Sequence, residues 1–271
     1  MTYVSAISAQ GWWSRTRAVL HDLGDLTRFA TQLLTAPGYG HRPETITVPP
    51  PSAGPRPTVH APRAAAPVLL VHGYLNTEQC WAPLLRRLHR TGFRDTSCLR
   101  YNTLTTGIPE LAAALTRAAR AAMERTSSDG VHLVGYSLGG LAVRYAVQRL
   151  GLETNTLSAV TIGTPHHGTP WARAAIGPAA RQLRPDSAVL VTLPDLAADH
   201  PVRWLFLYSD CDLIAPSVSA SAGRLSDAVH VPGRGHLGVL TDPRAAEAIV
   251  AHLCRADSAA TAGAELLQGV A

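Results

Sequence analysis

Val131–Gly140 reads VHLVGYSLGG, and the rest of the chain is best interpreted from this stretch outward. A short apolar run is followed at once by a serine between glycines, and then by the helix-favouring segment Leu141–Tyr145. Gly135 and Gly139 lack a Cβ, so they allow a tight turn and a close approach of helix to strand. The stretch therefore predicts a buried strand, a sharp turn that presents the hydroxyl of Ser137, and a helix, as in a nucleophile elbow.

Strand-like and helix-like segments alternate on both sides of this turn. Continuous apolar runs are typical of strands buried on both faces, and they predict strands at Val68–Val71, Ser97–Tyr101, Val131–Val134, Leu157–Ile162, Val202–Tyr208 and Asp227–Val231. Helical patterns lie at residues 77–90, 108–125, 138–150 and 239–254. This regular alternation predicts an α/β fold with a mostly parallel central sheet and helices on both faces.

A nucleophilic serine needs a general base and an acid that orients the base. His236 is the predicted base, because it follows the last predicted strand in a loop with three glycines, PGRGHLG at residues 232–238. Two acids, Asp210 and Asp212, follow the strand that ends at Tyr208. The loops after parallel strands converge at one edge of the sheet, so either carboxylate could meet the histidine there.

The negative oxygen of a tetrahedral intermediate needs two backbone N–H donors, an oxyanion hole. The first is predicted at Leu138, the residue after the serine. The second is predicted at Tyr74, in the turn after the first buried strand, where Gly73 lets the backbone face the serine. His72 is predicted to position this turn without taking part in the chemistry.

Five segments together resemble the bacterial lipases and esterases of the α/β-hydrolase superfamily. They are Val71–Tyr74 (VHGY), Gly135–Gly140 (GYSLGG), Gly163–Thr169 (GTPHHGT), Asp212–Pro216 (DLIAP) and Gly235–Leu237 (GHL). The resemblance spans about residues 66–254. It implies an α/β-hydrolase fold, Ser137 as nucleophile, His236 as base and then acid, and Tyr74 and Leu138 as oxyanion donors. It also favours Asp212 over Asp210 as the orienting acid.

The predicted domain organisation has four parts. Residues 1–45 form an N-terminal amphipathic helical segment, with apolar periodicity over residues 5–35, and residues 46–66 form a Pro-rich edge or linker. Residues 67–256 form the catalytic domain, with an apolar cap inserted at about 165–200. Residues 257–271 form a flexible Ala-rich tail. The helix at 5–35 is predicted either to pack on the domain or to contact a membrane or lipid surface.

Composition excludes several classes of protein. The apolar content of 46% excludes wholesale disorder. The net charge of +5 comes entirely from dispersed arginines, so no nucleic-acid-binding stripe is predicted. The four cysteines are scattered, which argues against a zinc ribbon, and no cofactor or metal is predicted. No signal peptide or membrane span is recognised, so a cytoplasmic location is expected, and the oligomeric state stays open.

The sequence is compatible with three functions. The first is a serine-dependent carboxylic-ester hydrolase of the triacylglycerol lipase or carboxylesterase type, acting on a small acyl ester or a lipid. The second is an acyltransferase or thioesterase that uses the same three residues, since an acyl-enzyme can be resolved by another acceptor. The third is a non-catalytic lipid-binding scaffold, which is disfavoured because every position of the expected triad is filled.

Overall fold

The computed structural model describes residues 42–50, 66–197 and 199–268. Their centre is a seven-stranded sheet with the strand order β1-β3-β2-β4-β5-β6-β7. The strands are β1 (Glu44–Thr47), β2 (Val68–Val71), β3 (Thr96–Arg100), β4 (Val131–Tyr136), β5 (Thr156–Ile162), β6 (Arg203–Tyr208) and β7 (Ala228–His230). β1 pairs antiparallel with β3, and every other neighbouring pair is parallel. The predicted mostly parallel α/β sheet is therefore confirmed.

The direction in which strands are added to the sheet reverses between β2 and β4, and the candidate active site lies at this point. The chain runs from β2 outward to β3 and then returns to the other side of β2 as β4. At such a reversal the loops leaving the two neighbouring strands diverge and open a crevice at their carboxyl ends. Here those loops begin at His72 and Ser137, the two segments that the sequence singled out.

Helices cover both faces of the sheet within the described residues. They are α1 (Ala82–Arg90), α2 (Ile108–Thr126), α3 (Leu138–Arg149), α4 (Gly177–Gln182), α5 (Ala188–Val191), α6 (Ser217–Ala220), α7 (His236–Thr241) and α8 (Pro243–Gln268). Short 3₁₀ turns lie at Glu78–Trp81, Glu153–Asn155, Pro170–Arg173 and Leu225–Asp227.

The core consists of two apolar layers, one on each face. Side chains alternate along a strand, so in β2 the residues Leu69 and Val71 pack against α2 and α3, whereas Val68 and Leu70 pack against α1 and α8. All four are fully buried. Each contributes about 1.5–3 kcal/mol relative to an exposed side chain, which fixes the register of the strand that precedes Tyr74.

Three predicted boundaries differ from those in the described part of the chain. The sheet begins at Glu44, N-terminal to the domain boundary predicted at residue 67. The predicted closing helix at 239–254 is two helices, separated at Asp242, because Pro243 lacks the N–H that would continue the first. The second helix extends through Gln268, where a flexible tail was predicted. The predicted helix at 5–35 and most of the Pro-rich segment lie outside the described residues.

Between β5 and β6 the chain forms an insertion, residues 163–202, which includes the predicted cap at 165–200. It contains the turn Pro170–Arg173 and the helices α4 and α5. The prediction assigned the apolar side chains of this insertion to a cap, whereas the structure buries some in the core and exposes others. Leu183, Leu190 and Leu193 pack into the core beside α2 and α3, whereas Trp171, Ile176 and Val191 are exposed. Of the helices described, none has the length and apolar content required to span a bilayer.

Candidate active site

Ser137 occupies a strained turn between β4 and α3. Its φ of 52° and ψ of −116° lie outside the regions that residues with a Cβ ordinarily adopt. The glycines on either side are sterically required. A Cβ on Gly135 would lie 2.5 Å from the Cα of Gly140, and one on Gly139 would lie 2.1 Å from the carbonyl oxygen of Val71. The turn is fixed to the sheet because the Ser137 N–H donates to the carbonyl of Ile162 at 2.8 Å.

His236 contacts both the serine and a carboxylate. Its Nε2 lies 2.9 Å from Ser137 Oγ, and its Nδ1 lies 2.8 Å from Asp212 Oδ2. A carboxylate can only accept, so Nδ1 carries the proton and the lone pair of Nε2 faces the hydroxyl. His236 is the first residue of α7, directly after Gly235, and its side chain is 12% exposed. The structure thus brings together Ser137, His236 and Asp212.

Asp212 is held rigidly beneath the imidazole. Its side chain is fully buried. Oδ2 meets the histidine, while Oδ1 accepts the N–H groups of Ile214 at 2.9 Å and Ala215 at 2.8 Å. The carboxylate therefore closes its own loop and presents one oxygen to His236. This arrangement orients the ring without requiring a further side chain.

Asp210, the other candidate acid, contacts a different part of the site. Its Oδ1 accepts from Gly233 N–H and His230 Nε2, both at 3.1 Å. Partial burial alone would raise the pKa of Asp210, but the bonds from Gly233 and His230 outweigh it and the pKa lies below its ordinary value. Asp210 therefore anchors the loop that leads to His236 and does not contact its imidazole ring.

The loop after β2 passes beside the serine. A Cβ on Gly73 would lie 3.0 Å from the Cβ of Ser137, so only glycine allows this approach. Leu138 is the first residue of α3, and the first N–H groups of a helix have no intrahelical acceptor. Within the described part of the chain, neither the Tyr74 nor the Leu138 N–H donates to another residue. Leu138 thus follows the nucleophile in the sequence, and Tyr74 follows Gly73, which lies against the nucleophile in space.

His72 and Tyr101 stabilise the loop after β2 through a hydrogen bond and the stacking of their rings. The Tyr101 hydroxyl donates to the carbonyl of His72, and the two rings stack with their centres 4.1 Å apart. His72 Nδ1 lies 3.0 Å from the Gly73 carbonyl, so this nitrogen carries the proton. Burial lowers the pKa of His72 to about 4, against a smaller effect of the Gly73 bond. The ring is therefore neutral at physiological pH, as its predicted positioning role requires.

A buried carboxylate at the far end of α7, which sequence reasoning missed, fixes the histidine loop. Asp242 Oδ2 accepts from Arg234 Nε at 2.8 Å and from Arg244 Nη2 at 3.0 Å, and its side chain is 1% exposed. The bond from Arg244, with that from Arg234, outweighs burial and holds the pKa of Asp242 well below its usual range. Asp242 could have been suspected from its place directly before Pro243, a frequent helix-start position.

The loop that leaves β5 begins beside the triad, because a Cβ on Gly163 would lie 3.2 Å from Asp212 Oδ2 and 3.3 Å from His236 Nδ1. The rest of its first turn packs tightly into the core. His166 Nε2 lies 3.0 Å from Thr161 Oγ1, and its ring packs edge-on against Phe206. Burial, followed by the charge of Arg144, holds the pKa of His166 well below its ordinary value. His166 is therefore a neutral structural residue that fixes the first turn of the insertion.

No metal site accompanies the triad in the part of the chain that the structure describes. No three His, Cys, Asp or Glu side chains there are grouped as a metal would require. None of the four cysteines forms a disulfide bond. Burial raises the pKa of Cys98 to about 12, which leaves its thiol protonated and unreactive.

Comparison with known proteins supports the assignment of the fold. The family model described as palmitoyl protein thioesterase matches residues 67–195, just under half of the chain. That span begins before β2 and ends within the insertion, so it includes the loop after β2, Ser137 and the helix that follows. A search of curated proteins found no match.

Solved structures with the same fold have low sequence identity to this chain. A mature lipase of Bacillus licheniformis superposes with a TM-score of 0.57 at 16% identity, covering 75% of this chain and 94% of that one. A monoacylglycerol lipase of Paleococcus ferrophilus gives 0.53 at 16% identity, covering 71% and 96%. A thermophilic esterase of Thermogutta terrifontis gives 0.55 at 16% identity, covering 79% and 94%. The protein thus has the α/β-hydrolase fold.

Proposed function

We propose that the protein is a serine-dependent hydrolase of carboxylic esters, of the lipase or carboxylesterase type, that works through an acyl-enzyme on Ser137. One observation carries the proposal: Asp212, His236 and Ser137 form a continuous hydrogen-bond chain, with the serine on a strained strand-to-helix turn. The fold and the family-model match support the broader class of ester or thioester hydrolases.

The proton pathway follows from the tautomer of His236. Nε2 accepts the Ser137 proton as Oγ attacks the substrate carbonyl, and Asp212 stabilises the imidazolium that forms. The same Nε2 then donates its proton to the leaving oxygen or sulfur, which departs and leaves the acyl group on Ser137. Water, deprotonated by His236, attacks the acyl-enzyme in the second half of the reaction. Release of the acid returns the proton to Ser137.

The Tyr74 and Leu138 N–H groups are proposed as the oxyanion donors. Each would bind the oxygen only when it becomes negative, so their contribution falls mainly on the transition state. Loss of one such donor typically costs about 3–4 kcal/mol, or several hundredfold in rate. Gly73 supports this role because its approach to Ser137 brings the following peptide to the nucleophile.

Apolar side chains near the triad support an acyl substrate. Leu213 directly follows Asp212 and is 50% exposed, while Trp171 is 55% exposed and donates its indole N–H to the Leu213 carbonyl. Ile176 is 68% exposed, and its backbone bonds to the Tyr74 hydroxyl. Exposed apolar groups at the two sides of a reactive serine favour an acyl chain or a lipid as the substrate. Lipid-surface contact through residues 5–35 and a cytoplasmic location remain predictions.

A thioester is the second candidate substrate, because the matching family model describes a palmitoyl protein thioesterase. The same triad serves both bonds, since only the leaving atom differs. Comparing kcat/KM for an S-acyl and an O-acyl substrate with the same chain and a similar leaving group distinguishes the two. Product analysis with and without an added alcohol separates hydrolysis from acyl transfer, because a transferase would form the new ester.

A fluorophosphonate probe tests the proposal most directly. We expect it to label Ser137 and to abolish hydrolysis of a p-nitrophenyl ester, and we expect Ser137→Ala to lower kcat by about 10⁶-fold. Ser226→Ala is the matched control, because Ser226 is exposed and lies outside the triad. Labelling elsewhere, or retained turnover by Ser137→Ala, would refute the assignment.

A further inference from the structure

The helix that begins after the nucleophile carries an almost fully buried arginine. Arg144 lies in α3 and is 3% exposed. No carboxylate of the described residues forms a salt bridge with it, although such partners normally accompany a buried charge. Burial lowers the pKa of Arg144 to about 10, against the nearby charge of Asp195, so its guanidinium is still protonated at neutral pH. A buried charge whose direct hydrogen bonds all go to neutral acceptors requires an explanation.

The hydrogen bonds of Arg144 lead to both ends of the insertion. Nη1 donates to the carbonyl of His166 at 3.1 Å, and Nη2 donates to the carbonyl of Pro194 at 2.8 Å. Nε donates to Gln148 Oε1 at 3.0 Å, and the Gln148 amide donates to the same Pro194 carbonyl at 3.0 Å. One guanidinium therefore joins the outgoing stem of the insertion, its returning stem and the nucleophile helix.

The chain between these stems reaches both sides of the triad. The Tyr74 hydroxyl donates to the Ile176 carbonyl at 2.7 Å, which attaches the insertion to the loop beside Ser137. Trp171 Nε1 donates to the Leu213 carbonyl at 3.0 Å, which attaches it to the residue after Asp212. Because the segment from Trp171 to Ile176 connects these loops, a displacement of the stems would be transmitted to the surface beside the triad.

Other roles for Arg144 fit the structure less well. Direct recognition of a ligand requires an accessible guanidinium, and this one is covered. Arg144 and His166 do not form a pair of like charges, because His166 is neutral at physiological pH. Packing alone would be served equally well by an apolar side chain. What distinguishes arginine is a planar fork that can donate to separate acceptors at fixed angles.

We propose that Arg144 is a positioning residue that closes the base of the insertion against the nucleophile helix, so that discrimination between short and long acyl chains depends on it. The proposal rests on the proposed function, because it assumes that acyl substrates bind beside Trp171 and Ile176. Arg144 touches neither the substrate nor the triad. Its influence passes through the stems at His166 and Pro194.

The test compares Arg144→Lys with Arg149→Lys, an exposed arginine on the same helix. Lysine keeps the charge, but its single ammonium cannot reproduce the fork.

The measurements are kcat and KM for p-nitrophenyl butyrate and p-nitrophenyl dodecanoate, the rate of fluorophosphonate labelling, and hydrogen exchange in residues 166–183. For Arg144→Lys we expect the dodecanoate-to-butyrate ratio of kcat/KM to change by about tenfold, since small misplacements have large effects on rate. Exchange in 166–183 should rise, and labelling should change by less than about threefold.

Several outcomes would overturn the proposal. One is equal losses on both esters with unchanged exchange, and another is Arg144→Lys behaving like Arg149→Lys. If both Arg144→Lys and Arg144→Met fail to fold, Gln148→Leu serves instead, because it removes one of the two donors to Pro194. Unchanged exchange and ester ratio in that variant would also overturn the proposal. Failure of the proposed function is distinguishable, because wild-type protein would then neither label nor hydrolyse either ester, while the exchange measurement would still report on the stems.

Discussion

The buried ring of His72 should make the protein lose stability in acid. Its folded pKa of about 4 lies below the value of 6.5 expected for the unfolded chain. Between these values the unfolded state binds more protons, so the free energy of unfolding falls as the pH is lowered. The contribution is fully present above pH 6.5 and is lost as the pH falls through about 4. The difference between the two pKa values corresponds to about 3 kcal/mol, a large fraction of a typical domain's stability.

His72→Asn isolates this effect. The asparagine amide can still donate to the Gly73 carbonyl, but it does not titrate, and it loses the stacking on Tyr101. The variant should be less stable than wild type at pH 8. Its further loss of stability between pH 8 and pH 4 should nevertheless be about 3 kcal/mol smaller than that of wild type.

Urea unfolding at a series of pH values measures both quantities. His167→Asn, at an exposed position in the loop after β5, controls for the removal of one imidazole. Other buried histidines contribute to the acid loss of wild type, but they are present in both proteins and cancel in the comparison. If His72→Asn lost as much stability in acid as wild type, the ring would not be the buried neutral group described here.

The remaining predictions concern the acid and the elbow. Asp212→Asn should lower kcat on a p-nitrophenyl ester by about 10⁴-fold, because the amide favours the wrong histidine tautomer. Asp210→Asn should cost less than about tenfold, since Asp210 only anchors the preceding loop, and similar losses in both variants would contradict these roles. Gly139→Ala should lower the free energy of unfolding by about 3 kcal/mol or more, because its Cβ would lie 2.1 Å from the Val71 carbonyl oxygen. Gly151→Ala, whose Cβ would meet nothing within 4 Å, should cost only about 1–2 kcal/mol for its left-handed backbone, and urea unfolding compares the two.

The arrangement of the site explains why Asp242, Tyr101 and His72, which support its loops, are buried. The proposed hydrolysis of an ester requires Ser137, His236 and Asp212 to keep hydrogen-bond distances while substrates enter and leave. Asp242 anchors the end of α7, and Asp210 anchors the loop that precedes this helix. Tyr101 and His72 stabilise the loop after β2. Side chains locked in this way cost no reorganisation at the moment of reaction.

Local patterns were sufficient for the elbow and for the succession of strands and helices along the chain. The glycines around Ser137 are required by sterics over a few residues, and the apolar runs report burial on both faces of the sheet. Such signals depend on neighbours in the chain, so they are legible without the fold. The same holds for His236, whose glycine-rich loop follows a strand directly.

Contacts between distant segments decided the rest. Asp210 and Asp212 differ by two positions in one loop, and the contacts of that loop with Gly233 and His236 give the two acids different partners. The resemblance had favoured Asp212, but no local pattern around the two residues explains why. Leu183, Leu190 and Leu193 have the composition of a cap lining, yet they pack in the core. Arg144 has the spacing of an ordinary polar residue on a helix, and its burial depends on the insertion folding back over α3.

The sequence by itself therefore determined the α/β class, the strained turn at Ser137 and the loops in which its partners had to be sought. The resemblance favoured Asp212 over Asp210, and the tertiary structure places Asp212 against His236. The tertiary structure alone decided which apolar residues remain exposed beside the triad and which buried charges hold the loops. The physical reason is that backbone conformation and strand burial depend on adjacent residues, whereas hydrogen-bond pairing and side-chain burial depend on segments brought together from up to 191 positions away.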